Sequence, residues 1–126
     1  MFTYDEFKLS THREIDIEAT RWGNAHNKTG WTAYWVPGNR QLRSSFNFTN
    51  KPPYQAQFQW KPGQISYYVS DRTGKALIDL SFNELIHKPG EEAATINFWR
   101  FQNRPLVRKQ SIRITKFTWE PLPKGS

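Results

Sequence analysis

A chain of 126 residues supports one modest β- or α-domain with a single core, and with no cysteine it excludes disulfides, thiolate metal sites and a cysteine nucleophile. No run approaches the roughly twenty consecutive apolar residues of a membrane span, and the amino terminus lacks a basic region followed by an apolar stretch, so neither a membrane helix nor an export signal is read. Eighteen Lys and Arg against eleven Asp and Glu give a net charge of +7, but the cations are scattered rather than massed, which favours a solvated surface over a nucleic-acid track.

Hydrophobic content is only 37%, yet nine Phe, six Trp and five Tyr supply large buried areas per residue, so the core is expected to be aromatic. Period-two alternation with aromatic and β-branched residues recurs between turn residues, the pattern of an all-β sandwich. In chain order the expected strands are Arg13 to Thr20, Trp31 to Val36, Ser44 to Thr49, Tyr54 to Trp60, Gln64 to Ser70, Ala94 to Phe101 and Ser111 to Glu120. Pro37-Gly38-Asn39, Lys51-Pro52-Pro53, Lys61-Pro62-Gly63 and Asp71-Arg72-Thr73-Gly74 punctuate them, and the span Trp60 to Val69 reads as a hairpin. Between Leu77 and Glu92 the pattern weakens, with Phe82 to His87 left as a helical turn or an irregular loop. Neither a repeat nor a low-complexity segment interrupts this single domain of residues 1–126, whose tail, Pro121 to Ser126, is expected to fray.

The first strand is the candidate for chemistry, the alternative being a solvated edge strand of alternating charge. In an extended segment Glu14, Asp16 and Glu18 share one face while Ile15 and Ile17 turn to the other, the core face. Like charges roughly 6 to 7 Å apart along a strand repel, so three carboxylates in a row are a cost that folding alone does not explain. Glycoside hydrolysis uses such a set: one ionised carboxylate as nucleophile or base, and one protonated carboxyl as acid. The Glu14 and Glu18 Cα atoms should lie about 13 Å apart. Their side chains must therefore lean together to reach the roughly 5 to 5.5 Å separation of retaining enzymes. Asp16 between them would share a proton with a neighbour and hold one group neutral.

Sugar rings stack their apolar faces on Trp and Tyr, and Trp22, Trp31, Tyr34, Trp35, Trp60 and Trp99 are the candidates. Alternation lets only one of Tyr34 and Trp35 face the carboxylates. Asn97 and Trp99 share a strand face, with Ile96 and Phe98 expected on the buried one. The substrate-binding set is taken as Trp22, Tyr34, Asn97 and Trp99. His12, His26 and His87 have no metal-site spacing and read as surface or turn residues; no metal or cofactor is expected.

The run His12-Arg13-Glu14-Ile15-Asp16-Ile17-Glu18 resembles the catalytic motif of glycoside hydrolase family 16, the lichenase, laminarinase and xyloglucan transglycosylase group. Phe58 to Val69 is similar to that family's tryptophan-containing hairpin, Ile96-Asn97-Phe98-Trp99 to its Asn-x-Trp strand, Phe2-Thr3-Tyr4 to the strand before the motif and Ile112 to Trp119 to the closing strand. Where the family motif ends in an aromatic-Leu-Gly sequence, this chain has Ala19-Thr20-Arg21-Trp22-Gly23-Asn24.

The resemblance implies a concanavalin-like jelly-roll sandwich and a secreted enzyme. It implies Glu14 as nucleophile, Glu18 as general acid/base and Asp16 as the carboxylate assisting the nucleophile, with Asn97 and Trp99 lining sugar subsites. The unbulged spacing implies a β-1,4-linked or mixed-linked glucan as substrate. The chain matches the carboxy-terminal half of such a sandwich, so a partial sandwich is expected, with homodimerisation or strand exchange across its open edges. A carbohydrate-binding module without turnover is the alternative, and an aromatic, basic domain for single-stranded nucleic acid a more distant one.

Overall fold

The computed structural model describes residues 1–4, 13–20, 26, 28–36, 40–49, 51–90, 92–98 and 111–121. These residues contain eight strands: β1 (Phe2–Tyr4), β2 (Ile15–Ala19), β3 (Thr29–Val36), β4 (Arg40–Asn47), β5 (Gln55–Lys61), β6 (Gln64–Ser70), β7 (Ala76–Phe82) and β8 (Ala93–Thr95). All pairings are antiparallel, in a five-stranded sheet of order β4-β3-β2-β1-β8 and a three-stranded sheet of order β5-β6-β7. The protein is an all-β sandwich.

Alternation decides which residues meet between the layers. Ile15 and Ile17 of β2, Tyr34 and Val36 of β3 and Phe46 of β4 project from the larger sheet; Trp60 of β5, Ile65, Tyr67 and Val69 of β6 and Ile78 of β7 project from the smaller. Tyr34 and Tyr67 are the largest fully buried side chains, as the aromatic composition required. Tyr34 meets Trp60 edge-on at 6.4 Å between centroids, and Tyr67 meets Phe82 edge-on at 5.8 Å, the offset geometries that ring quadrupoles favour. A buried phenol needs an acceptor, and the Tyr67 hydroxyl donates to the Ala33 carbonyl at 2.6 Å, tying β6 to β3 across the sandwich.

The β5–β6 hairpin turns on Pro62 and Gly63, and Gly63 has φ of 78°, the positive value that the third position of a type II turn demands. In the next connection Asp71 organises the chain. Its carboxylate accepts from the Thr73 amide at 2.9 Å and from the Thr49 hydroxyl at 3.1 Å, while the Gly74 amide donates to its carbonyl at 3.0 Å. These bonds hold the Asp71 carboxyl down at about 2, the Thr73 side chain contributing most.

Three sequence expectations change. β7 is a full strand where the pattern weakened, because a register shift at Val69/Ser70 brings Leu77 and Ile78 in as consecutive apolar residues and blurs the alternation. Beyond it, residues 83–90 and 92 are irregular before β8. Of the expected strand Ala94 to Phe101, β8 covers Ala93–Thr95, residues 96–98 are irregular and 99–101 lie outside the described residues; Ile96 and Phe98, expected inside, are 39% and 60% exposed. The smaller sheet places β7 beside β4 and ties β6 to β3, and Ile96 and Phe98, just past β8 at the margin of the larger sheet, stay exposed. The expected strand Ser111 to Glu120 pairs with neither sheet, and Ile112, Ile114, Phe117 and Trp119 lie exposed.

Candidate functional site

The five-stranded sheet has a second face, turned away from the core. β2 pairs with β3 without a bulge, setting Asp16 opposite Ala33 and Glu18 opposite Trp31. One step earlier the Trp35 amide donates to the Glu14 carbonyl at 3.2 Å, which places Trp35 beside Glu14. On the other flank Phe2 of β1 lies opposite Asp16. β4 adds Gln41 beside Trp35, Arg43 beside Ala33 and Ser45 beside Trp31. Cross-strand partners share a face. The outer surface is therefore a row of three carboxylates with two tryptophans along one side and Phe2 along the other.

Trp31 and Trp35 are four residues apart on β3, about 13 Å, with the small, buried Ala33 between them directly beside Asp16. Glu14 and Glu18 are half-buried, while Asp16 is only 7% exposed. That burial was not foreseen, since alternation put all three on an open face. Burial, reinforced by the Glu14 charge and a hydrogen bond with the Glu14 carboxyl, raises Asp16 to about 8, with Glu18 adding to the effect. Glu18 is raised chiefly by its own burial, an effect the nearby amino-terminal ammonium opposes and Glu14 adds to. At neutral pH Asp16 thus holds a proton, hydrogen-bonded with the Glu14 carboxyl.

Tyr34 requires a correction. It pairs with Ile15 rather than with a carboxylate, so it turns to the core and is fully buried. Its hydroxyl accepts from the His87 amide at 3.0 Å, and the His87 carbonyl accepts from the Trp60 indole at 2.9 Å. Of Tyr34 and Trp35, Trp35 faces the carboxylates. Trp60 is likewise core, at 8% exposure. Asn97 is exposed just past β8, and Trp22, Trp99 and His12 lie outside the described residues. His26 sits in an exposed turn, but His87 is a half-buried brace rather than a surface residue.

Two contributions were invisible in the sequence. Arg13, next to Glu14, forms an ion pair with Glu92 at 2.9 Å, the two side chains 12% and 2% exposed, and also donates to the Lys88 carbonyl. A second Glu92 oxygen accepts from the Gly90 amide at 2.6 Å, and a Cβ on Gly90 would come within 2.9 Å of the Arg13 guanidinium. The loop before β8 is thereby clamped to the start of β2. The other is Arg43, whose guanidinium lies over the Trp31 ring at 4.9 Å. Neither stood out, because the partners come from strands and loops whose register the sequence does not display.

Among the described residues no group of three or more His, Asp or Glu side chains is disposed to hold a metal ion. The fold and this face define a β-sandwich that presents an acidic, aromatic-walled strip on one sheet. Compared with profiles of known protein families, with curated proteins and with solved structures, the chain matches none.

Proposed function

We propose that this chain carries the catalytic face of a retaining endo-β-glucan hydrolase or transglycosylase acting on β-1,4 or mixed-linked glucan, as its resemblance to glycoside hydrolase family 16 implies. The observation that supports the reading best is the unbulged β2–β3 register, which sets Glu14, Asp16 and Glu18 in one row beside Trp31 and Trp35. In this reading a glucan strand stacks on the two tryptophans and crosses the row of carboxylates between them. Glu14 attacks the anomeric carbon while Glu18, whose carboxyl burial raises above its ordinary value, gives its proton to the leaving oxygen. Glu18 then takes a proton from water, or from an acceptor hydroxyl, as the glycosyl–Glu14 ester breaks. Asp16 holds a proton against the Glu14 carboxyl in the free enzyme and keeps that side chain oriented.

Exposed Asn97 and the undescribed Trp22 and Trp99 belong to the same reading as outlying sugar contacts, as does secretion. So does self-association, the open edges of the two sheets being the surfaces that support it.

The test is release of reducing ends from lichenan or xyloglucan. Glu14→Gln and Glu18→Gln should each lower turnover by about 10² to 10⁴-fold while glucan still retards the protein on affinity gels. Unchanged turnover in Glu14→Gln sinks the assignment. Retardation by glucan with no product from the unsubstituted chain would identify a binding module instead.

A further inference from the structure

Arg43 is the feature of the carboxylate face that hydrolysis of a neutral glucan does not use. It projects from β4 beside Ala33 and is exposed, and its guanidinium rests over Trp31, the residue paired with Glu18. Among the described residues it has no carboxylate partner, although three carboxylates stand on the same face. A guanidinium over a half-buried indole is a weak contact, so it positions the group without committing it. The planar fork matches carboxylate and sulfate oxygens two at a time, a geometry a lysine ammonium cannot reproduce.

We infer that Arg43 and Trp31 form a subsite for a sugar bearing an anionic substituent, a carboxylate or a sulfate ester, on the glycan strand that lies across β2 and β3. This rests on the catalytic reading of the face. Trp31 stacks the ring of that sugar, and Arg43 turns from the indole to the substituent as the ring arrives. The offset is what makes the arrangement workable. Arg43 stands two strands from Asp16, about 10 Å, so the anionic group sits clear of the carboxylate row that would repel it. The chain's net charge of +7 draws an acidic polymer toward the molecule as a whole, and Arg43 places a cation on this face over Trp31.

Three polymers with one β-1,4 backbone isolate the charge: carboxymethylcellulose, cellulose sulfate and neutral hydroxyethylcellulose. Binding is measured by affinity electrophoresis in the Glu14→Gln background, so that no turnover alters the ligand. Arg43→Gln should weaken binding of one or both anionic polymers about five- to tenfold and leave hydroxyethylcellulose unchanged, with Arg43→Lys recovering part of the loss. Whichever anionic polymer loses more identifies the substituent. Arg40→Gln, at the end of the same strand and opposite Val36, should change none of the three. Equal loss in the Arg40 variant would reduce the effect to bulk charge and overturn the inference, as would equal weakening for all three polymers or no effect of Arg43→Gln. If neutral glucan is hydrolysed but charge makes no difference to binding, the subsite falls and the catalytic reading stands. Arg43-dependent binding of the anionic polymers without turnover of any glucan reverses that outcome.

Discussion

Asp16 is the residue in which the chemistry and the stability of this protein meet. Its carboxyl has an ordinary value of 3.8 and is raised to about 8 in the fold, first by burial and then by Glu14 and Glu18. The folded state therefore holds a proton that the unfolded chain releases, so this group reduces stability as pH rises from about 4 to about 8, the reverse of a salt-bridged aspartate. Asp16→Asn keeps the shape and removes the charge. It should raise the melting temperature at pH 8 relative to the parent, with little difference at pH 4. Thermal melts at the two pH values check this; a variant equally affected at both would show that Asp16 does not titrate with folding. The three acidic positions were legible because period two is a property of any strand. The burial of the central one was not, since it depends on what β3 and β1 place beside it.

At the scale of elements, the pairing of β2, β3 and β4 is what builds the face, and close packing holds that pairing in register. Gly30 shows the tolerance. A Cβ there would fall 2.3 Å from the buried Phe46 ring, so Gly30→Ala forces the ring out of place and should cost about 1 to 3 kcal/mol in chemical denaturation. An unchanged midpoint would show that Phe46 has room to move. Tyr67 ties the sheets from the other side: burial raises its phenol, so the group stays protonated and donates to Ala33, the residue opposite Asp16. Tyr67→Phe should cost about 1 kcal/mol and loosen β3 at Ala33. Slower turnover than the stability loss accounts for would mark Tyr67 as a positioning residue. The hairpin of β5 and β6 was readable in advance because Pro62-Gly63 is local turn chemistry. β7 was not, because the shift of register that disturbs its alternation belongs to its pairing with β6.

At the scale of the whole molecule, the described residues form unequal layers, three strands against five. Ile96 and Phe98 at one margin, and Ile112, Ile114, Phe117 and Trp119 in the carboxy-terminal run, leave six large apolar side chains exposed. Exposed alternating segments and open sheet edges find partners by strand addition. Sedimentation should show concentration-dependent association, and the double variant Ile114→Asp/Trp119→Asp should abolish it with β2 and β3 intact by circular dichroism. A parent chain monomeric at high concentration would remove strand exchange from the reading.

The all-β class, the Pro62-Gly63 hairpin and the division of β2 into an acidic and an apolar face were determined by the sequence alone, since each follows from neighbours within a few residues. Only the tertiary structure decided that Tyr34 belongs to the core and Trp35 to the carboxylate face, that Arg13 is clamped by Glu92, and that Arg43 stands over Trp31. These depend on register between strands, and a shift of one residue would exchange every pair of faces without altering any local pattern.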